Sequence, residues 1–268
     1  MFNFRFPFLK QKKADRFVLV ISWGGMRGFY GLGILKALEE LGYKEKIEAI
    51  YGVSAGALLA SYRSAGYSAD QILKRFLTSE FMSFSKNLNL IPKHALLKNS
   101  IIKKQIESDL PSTFEDLAIP IFVGCSAIAN GQNLLLSKGE LSSALLWTIA
   151  IPGVFPAVQR DDEALIDGGV TNNFPTDLAK NHFPDHKIIW ISLNKYRNKP
   201  KIRNLLDNLM ISFEMMLRKD IETKGALADI FFCRSLETPV LEFNTKKLKK
   251  LFELGYQDGK EKLRNGKH

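Results

Sequence analysis

Cysteine is nearly absent: Cys125 and Cys233 are the only two in 268 residues. A disulfide-rich scaffold is excluded. Both lie in apolar, strand-like runs (IFVGCSAI and IFFCR) and read as buried free thiols suited to a reducing compartment. No run of about 18 apolar residues occurs, so no helix is expected to cross a bilayer. The start, MFNFRFPFLKQKK, puts aromatic residues ahead of its basic cluster, the reverse of a signal peptide. A cytoplasmic chain is expected, although an effector exported by dedicated machinery would look the same. No internal repeat and no linker rich in proline, glycine or serine divides the sequence. Residues 1–268 therefore read as one domain, with a core over about 16–195, an extension over 200–268 and an aromatic-basic segment over 1–15. Histidine is scarce too: His94, His182, His186 and His268 are the full set.

Acids are outnumbered, with 28 Asp and Glu against 38 Lys and Arg and a net charge of +10. The cations concentrate in residues 1–16, in KYRNKPKIR (195–203) and in the tail from 245, which carries eight Lys or Arg against three acids. No nucleic-acid module accompanies them, so a nucleic-acid partner is not expected. Solvated surface charge and contact with an anionic membrane remain the two readings.

With 46% hydrophobic residues the chain has material for a substantial core. RFVLVIS (16–22) reads as a strand buried on both faces. WGGMRG (23–28) follows, then a helix to about Leu41 with Gly42 as its C-cap. EAIYGVS (48–54) is a second strand and AGALLASYRSAG its helix, which makes a βαβ unit and a parallel sheet. Residues 69–109 read as helical pieces broken at Pro92. Strands return at 119–127 and 133–137 around an Asn130-Gly131 turn. A helix over 141–150 stops before Pro152, ALIDGG is extended, and KIIWISL (187–193) is another buried strand. A long helix is expected over about 201–224, with Leu206, Leu209, Met210, Phe213, Met216 and Leu217 on one face. The chain closes with the strand IFF and a basic helix from Thr245.

Chemistry concentrates where strands meet helices. Gly52-Val53-Ser54-Ala55-Gly56 is a G-x-S-x-G turn between a strand and a helix, the way a serine nucleophile is presented on an α/β scaffold. Gly52 and Gly56 remove side chains where the turn is tight, and Ser54 meets the helix N-terminus, where developing negative charge is favoured. A plain βα turn is the alternative. WGGMRG joins the preceding strand to its helix at the same sheet edge, and its consecutive glycines leave N–H groups free to form an oxyanion hole. A packing turn and a dinucleotide-binding loop are the rivals. Against the latter, no acid ends the second strand, where a ribose partner belongs. His182 and His186 precede a strand and so fall at the wrong sheet edge, His268 is terminal, and His94 stays open. Asp167, in LIDGGVTNNFP, ends an apolar segment at a tight Gly168-Gly169 turn. A buried carboxylate there has its proton affinity raised and can serve as a base without histidine. A turn-capping aspartate is the alternative.

Together the glycine-rich loop at 23–28, the elbow at 52–56, AIPGVFPAV at 150–158 and Asp-Gly-Gly at 167–169 resemble the patatin-like phospholipase family in order and spacing, over roughly residues 17–193. The resemblance implies an α/β fold: a mostly parallel central sheet flanked by helices, a variant of the three-layer sandwich of α/β-hydrolases. It implies a Ser–Asp dyad of Ser54 and Asp167 that cleaves carboxylic esters of phospholipids or other acyl lipids. The N–H groups of Gly24, Gly25 and Met26 resemble the oxyanion donors, Arg27 and Gly28 complete that loop, and IPGVFP resembles the acyl-binding wall. No cofactor and no metal are implied. The family loop begins with three glycines, whereas the first position here is Trp23, whose indole is expected to narrow the acyl pocket or shift the loop.

A lipid-ester substrate implies contact with a membrane surface. Phe2, Phe4, Phe6 and Phe8 ahead of KQKK pair apolar anchors with cations, as an anionic interface favours, and an edge strand is the other reading. The C-terminal helix, with Leu248, Leu251, Phe252 and Tyr256 on one face, is expected to pack on the domain. Two further readings stay open: a non-catalytic lipid- or protein-binding module on the same fold, and a Ser–His hydrolase using His94. Nothing in the sequence identifies a protein activator.

Overall fold

The computed structural model describes residues 15–265 except 90, 92–93, 161 and 196–199. The phenylalanine-rich start, Pro92 and His268 lie outside the described residues. Along the chain run β1 (Phe17–Ile21), α1 (Gly28–Glu40), β2 (Ile47–Val53), α2 (Ala55–Ser64), α3 (Ala69–Thr78), α4 (Phe84–Asn87) and α5 (Ser100–Asp109). Then come β3 (Ile121–Ala127), β4 (Asn133–Leu136), α6 (Leu141–Thr148), β5 (Val158–Arg160), β6 (Glu163–Asp167), α7 (Gly169–Asn172) and α8 (Thr176–His182). The remainder is β7 (Lys187–Lys195), α9 (Leu205–Met216), α10 (Ile221–Gly225), β8 (Ile230–Ser235) and α11 (Thr245–Asn265).

All strands join one sheet in the order β5-β6-β3-β2-β1-β7-β8, with β4 also on β3. The five neighbours β3, β2, β1, β7 and β8 run parallel, as the βαβ pattern requires, while β4 and β6 run against β3 and β5 runs against β6. In β1 every residue is buried because both sheet faces are covered. Phe17, Leu19 and Ile21 face the large core that includes Leu32, Ile34 and Phe252, while Val18 and Val20 face the smaller one with Phe174 and Trp190. The result is the expected mixed α/β architecture, a central sheet flanked by helices.

The C-terminal helix buries Leu248, Leu251, Phe252 and Leu263 and lies along α1, so its apolar stripe is core. Both cysteines are free thiols, Cys125 buried and Cys233 half-buried. One expectation needs correction. The single helix over 201–224 is two, α9 and α10, and α9 buries Met210, Ile211 and Glu214 while leaving Leu209 and Met216 in solvent. The extended segment before Asp167 forms β6, which runs against β3 and has a short partner, β5, that the sequence pattern did not announce.

Candidate active site

That antiparallel strand decides what Ser54 meets. β2 covers one edge of β3 as far as Gly124, which lies opposite Val53. The other edge from Val123 to Ser126 is taken by β4. β6 pairs with Cys125, Ser126 and Ala127, so it must occupy the same edge as β2, arriving from the opposite direction. Its last residue, Asp167, stands opposite Cys125, one rung beyond the partner of Val53. The two strand ends meet head to head, and residues 54 and 167 reach the same level of the sheet.

The intervening chain clamps both. Ser54 donates its N–H to Thr148 Oγ1 at 2.8 Å, and Thr148 donates its hydroxyl to the Gly124 carbonyl at 2.6 Å. Two residues later, the Ala150 carbonyl accepts the Asp167 N–H at 3.1 Å. Ser54 has φ 55 and ψ −122, the one non-glycine residue with positive φ among the described residues. A nucleophile elbow holds its serine in such a strained turn. The strain is sustained by close packing: a Cβ on Gly56 would overlap the Ile21 carbonyl, and one on Gly52 would overlap the backbone of Ala57.

Asp167 is fully buried, and burial pushes its carboxyl up to about 7. The Ser54 hydroxyl, the Gly169 N–H and the Trp23 indole oppose that shift by stabilising the charged form. Only the Gly169 N–H reaches it with good geometry, donating to Oδ1 at 2.8 Å. Oδ2 and the indole Nε1 are both buried without a well-formed hydrogen bond.

The glycine-rich loop begins at the same edge. Gly25 has φ +52, and a Cβ there would overlap the Val240 carbonyl. That carbonyl accepts the Met26 N–H at 2.8 Å. Met26 was expected to offer its N–H to an oxyanion. Instead the segment around Val240 crosses the loop and engages it, and the Met26 side chain lines the cavity. The Gly24 and Gly25 N–H groups meet no acceptor among the described residues. Arg27 is buried, donating Nε to the Thr238 carbonyl at 2.7 Å and Nη2 to both Glu214 oxygens at 3.1 and 3.2 Å. Arg218 donates to the same Glu214 at 2.8 Å and to the Asn194 carbonyl. Gly28 opens α1, against Ala55.

Trp23 does not line the space beside Ser54. Fully buried, it gives its backbone N–H to Asn173 Oδ1 at 2.9 Å and stands edge-on to Phe213 of α9, ring centres 5.6 Å apart. The space itself is an apolar cavity of about 770 Å³, mouth included, with Ser54, Gly25 and Met26 at one side. Ile151 and Phe155 of IPGVFP form part of its wall, as do Phe81 and Phe243. Among the described residues no histidine lines this cavity: His182 bonds Tyr51, His186 bonds Glu48 at the opposite sheet edge, and His94 is exposed. Thr148, Asn173, Asn194, Glu214 and Arg218 carried no signal in the sequence, being single polar residues within apolar or unremarkable runs. No group of three or more metal-ligating side chains occurs among the described residues.

Comparison with known proteins converges on the same elements. The family model described as patatin-like phospholipase matches residues 19–180, more than half of the chain. An uncharacterized NTE family protein of Mycobacterium tuberculosis is 28% identical over 163 residues, covering 60% of this chain and 27% of the relative. Another, from Mycobacterium bovis, is 28% identical over 239 residues, covering 85% of this chain and 62% of its own length. Human patatin-like phospholipase domain-containing protein 6 is 24% identical over 282 residues, covering 92% of this chain and 20% of that protein. The chain thus spans about a quarter of the first mycobacterial relative and a fifth of the human one. Among solved structures, VipD from Legionella pneumophila superposes with a TM-score of 0.55 at 14% identity, over 94% of this chain and 67% of that one, a likeness of fold.

Proposed function

The chain belongs to the patatin-like phospholipase family, and from that premise we propose that it hydrolyses carboxylic esters of phospholipids or other acyl lipids through an acyl-enzyme on Ser54, with Asp167 as base. The observation that carries this reading is the head-to-head meeting of β2 and β6 on neighbouring rungs of β3, beside an apolar cavity. Ser54 Oγ attacks the ester carbonyl while its proton passes to the Asp167 carboxylate, and the oxyanion turns toward the Gly24 and Gly25 N–H groups. The protonated Asp167 then returns the proton to the leaving alcohol. Water, giving its proton to the same carboxylate, then attacks the acyl carbon. As the acyl–Ser54 bond breaks, Asp167 returns that proton to Ser54 Oγ and the fatty acid leaves. A base with an affinity near neutrality is matched to both transfers, and burial supplies that affinity. The acyl chain lies against Ile151, Phe155 and Met26.

The test is active-site labelling with a fluorophosphonate, together with turnover of a p-nitrophenyl ester series. Wild type is labelled and turns over, and Ser54→Ala and Asp167→Asn do neither. Equal labelling of Ser54→Ala and wild type removes the proposal.

A further inference from the structure

A helix on the surface of a folded domain is apolar on the side it buries and polar on the other. α9 breaks this rule. Its inner side carries Met210, Ile211 and Glu214, all buried. Leu205, Leu209 and Met216, at spacings of four and seven, project from the side directly opposite and are 73%, 56% and 74% exposed. Ser212, at the matching position between Leu209 and Met216, is exposed as well, and Ile202 just ahead of the helix is 61% exposed. An apolar surface this continuous on one side of a folded chain marks a contact.

Charge and position select the occupant. The segment leading into α9, KYRNKPKIR, has five cations and no acid. Of these, Lys201 and Arg203 are exposed at the start of the helix, and Lys219 is exposed just beyond its end. Arg203 is shared with Asp207, and Asp220 and Glu222 are the nearest exposed acids past Lys219. The stripe therefore has a cation at each end, with the excess of positive charge at its start, the arrangement that suits apolar insertion below anionic headgroups.

The helix also adjoins the substrate cavity. The groove beneath it is lined by Leu206, Met210, Val240, Leu241 and Phe243, and the last three also line the cavity beside Ser54. Phe84, 40% exposed, packs on Phe243 with ring centres 5.3 Å apart at this junction. On its inner side the same helix holds the glycine-rich loop, through Phe213 on Trp23 and Glu214 on Arg27.

We propose that the outer side of α9, with Leu205, Leu209 and Met216 bracketed by Lys201, Arg203 and Lys219, is the surface by which this protein settles on an anionic lipid bilayer, and that it sets the cavity mouth against the substrate layer. The inference deepens the lipid-hydrolase reading by giving that site its route to substrate.

The experiment is co-sedimentation with phosphatidylcholine vesicles, with and without about a quarter phosphatidylglycerol. It is run beside turnover of a water-soluble short-chain ester and size-exclusion chromatography. Wild type is expected to partition onto the anionic vesicles several-fold better than onto the neutral ones. Leu205→Glu/Leu209→Glu loses that partition by at least about tenfold, because two inserting side chains are replaced by charges of the headgroups' own sign. It also loses phospholipid turnover, while its short-chain ester turnover stays within about twofold, since neither residue lines the cavity. Lys201→Glu/Lys219→Glu abolishes the preference for anionic vesicles. Ile128→Glu, at an exposed apolar position elsewhere, leaves binding unchanged. Three results overturn the proposal: unchanged partition of the α9 double variant, equal loss in Ile128→Glu, or a dimer of wild type that the double variant dissolves, which makes the stripe a contact between copies. Absence of ester turnover in wild type would overturn the hydrolase reading instead, and vesicle binding would still be scored on its own.

Discussion

Replacing Asp167 with asparagine should inactivate the protein and, above neutrality, make it more stable. The side chain is fully buried, and its carboxyl is pushed from 3.8 up to about 7. Between those two values the folded chain binds a proton that the unfolded chain has released, so stability falls as pH rises through the interval. At about 1.36 kcal/mol per unit, the displacement amounts to roughly 4 kcal/mol once pH exceeds about 7. Asparagine keeps the shape, still accepts from the Gly169 N–H on its oxygen, and carries no charge to desolvate. Urea denaturation of both proteins should show Asp167→Asn gaining on wild type by about 3 kcal/mol between about pH 5 and about pH 8, and no further beyond. Activity runs the other way. The base must be ionised, so kcat/KM of wild type on a soluble ester should rise about tenfold per pH unit below about 7 and level off above. A constant stability gap between the two proteins across this range would refute the burial argument, and a flat pH profile down to about 5 would refute the assignment of the base.

Three further outcomes are expected. Trp23→Phe removes an indole N–H that favours the ionised form of Asp167, so the acid limb of the pH–rate profile should move to higher pH, while the melting temperature falls because a fully buried side chain loses volume; a limb that stays put or moves down contradicts this. Thr148→Val deletes both the acceptor for the Ser54 N–H and the donor to Gly124, which should cost about 1–3 kcal/mol of stability and lower kcat on a soluble ester far more than it changes KM. Glu214→Gln leaves the buried Arg27 and Arg218 without the carboxylate they share, so denaturation should show a loss of about 3–5 kcal/mol, accompanied by reduced fluorophosphonate labelling because the glycine-rich loop is released.

The parallel half of the sheet and the serine turn were legible because both are local. A fully apolar β-branched run such as FVLVI has only one comfortable place, a strand covered on both faces. The glycines at 52 and 56 mark a turn whose tightness the backbone contacts bear out. The approach of residue 167 to residue 54 was implied by the family resemblance and not by any local pattern, since it depends on which edge of β3 receives β6 and in which register. No periodicity encodes that choice, and it is resolved only once β4 has taken the other edge. Met26 was misread for a related reason. The acceptor of its N–H, Val240, lies more than two hundred residues away, in a stretch (ETPVLEF) without any recognisable pattern.

The α9 segment was misread in a more informative way. Leu206, Leu209, Met210, Phe213, Met216 and Leu217 share one face, but Leu205, Ile211 and Met215 put further apolar side chains around the rest of the helix, so the pattern alone does not fix which side is core. The fold resolves the ambiguity through polar groups, because Glu214 must point inward to meet Arg27 and Arg218. Once that carboxylate is anchored, rotation of the helix is set, and Leu209 and Met216 are committed to the outside with Leu205. Apolar residues retained at positions that a buried ion pair forces into water do not contribute to the core. Their stability cost in the isolated chain is small, and their energetic return comes only when another apolar phase is present. The same ion pair that steadies the glycine-rich loop therefore aims the exposed stripe, and a change at Glu214 should disturb vesicle binding and ester turnover together, whereas changes at Leu205 and Leu209 separate them.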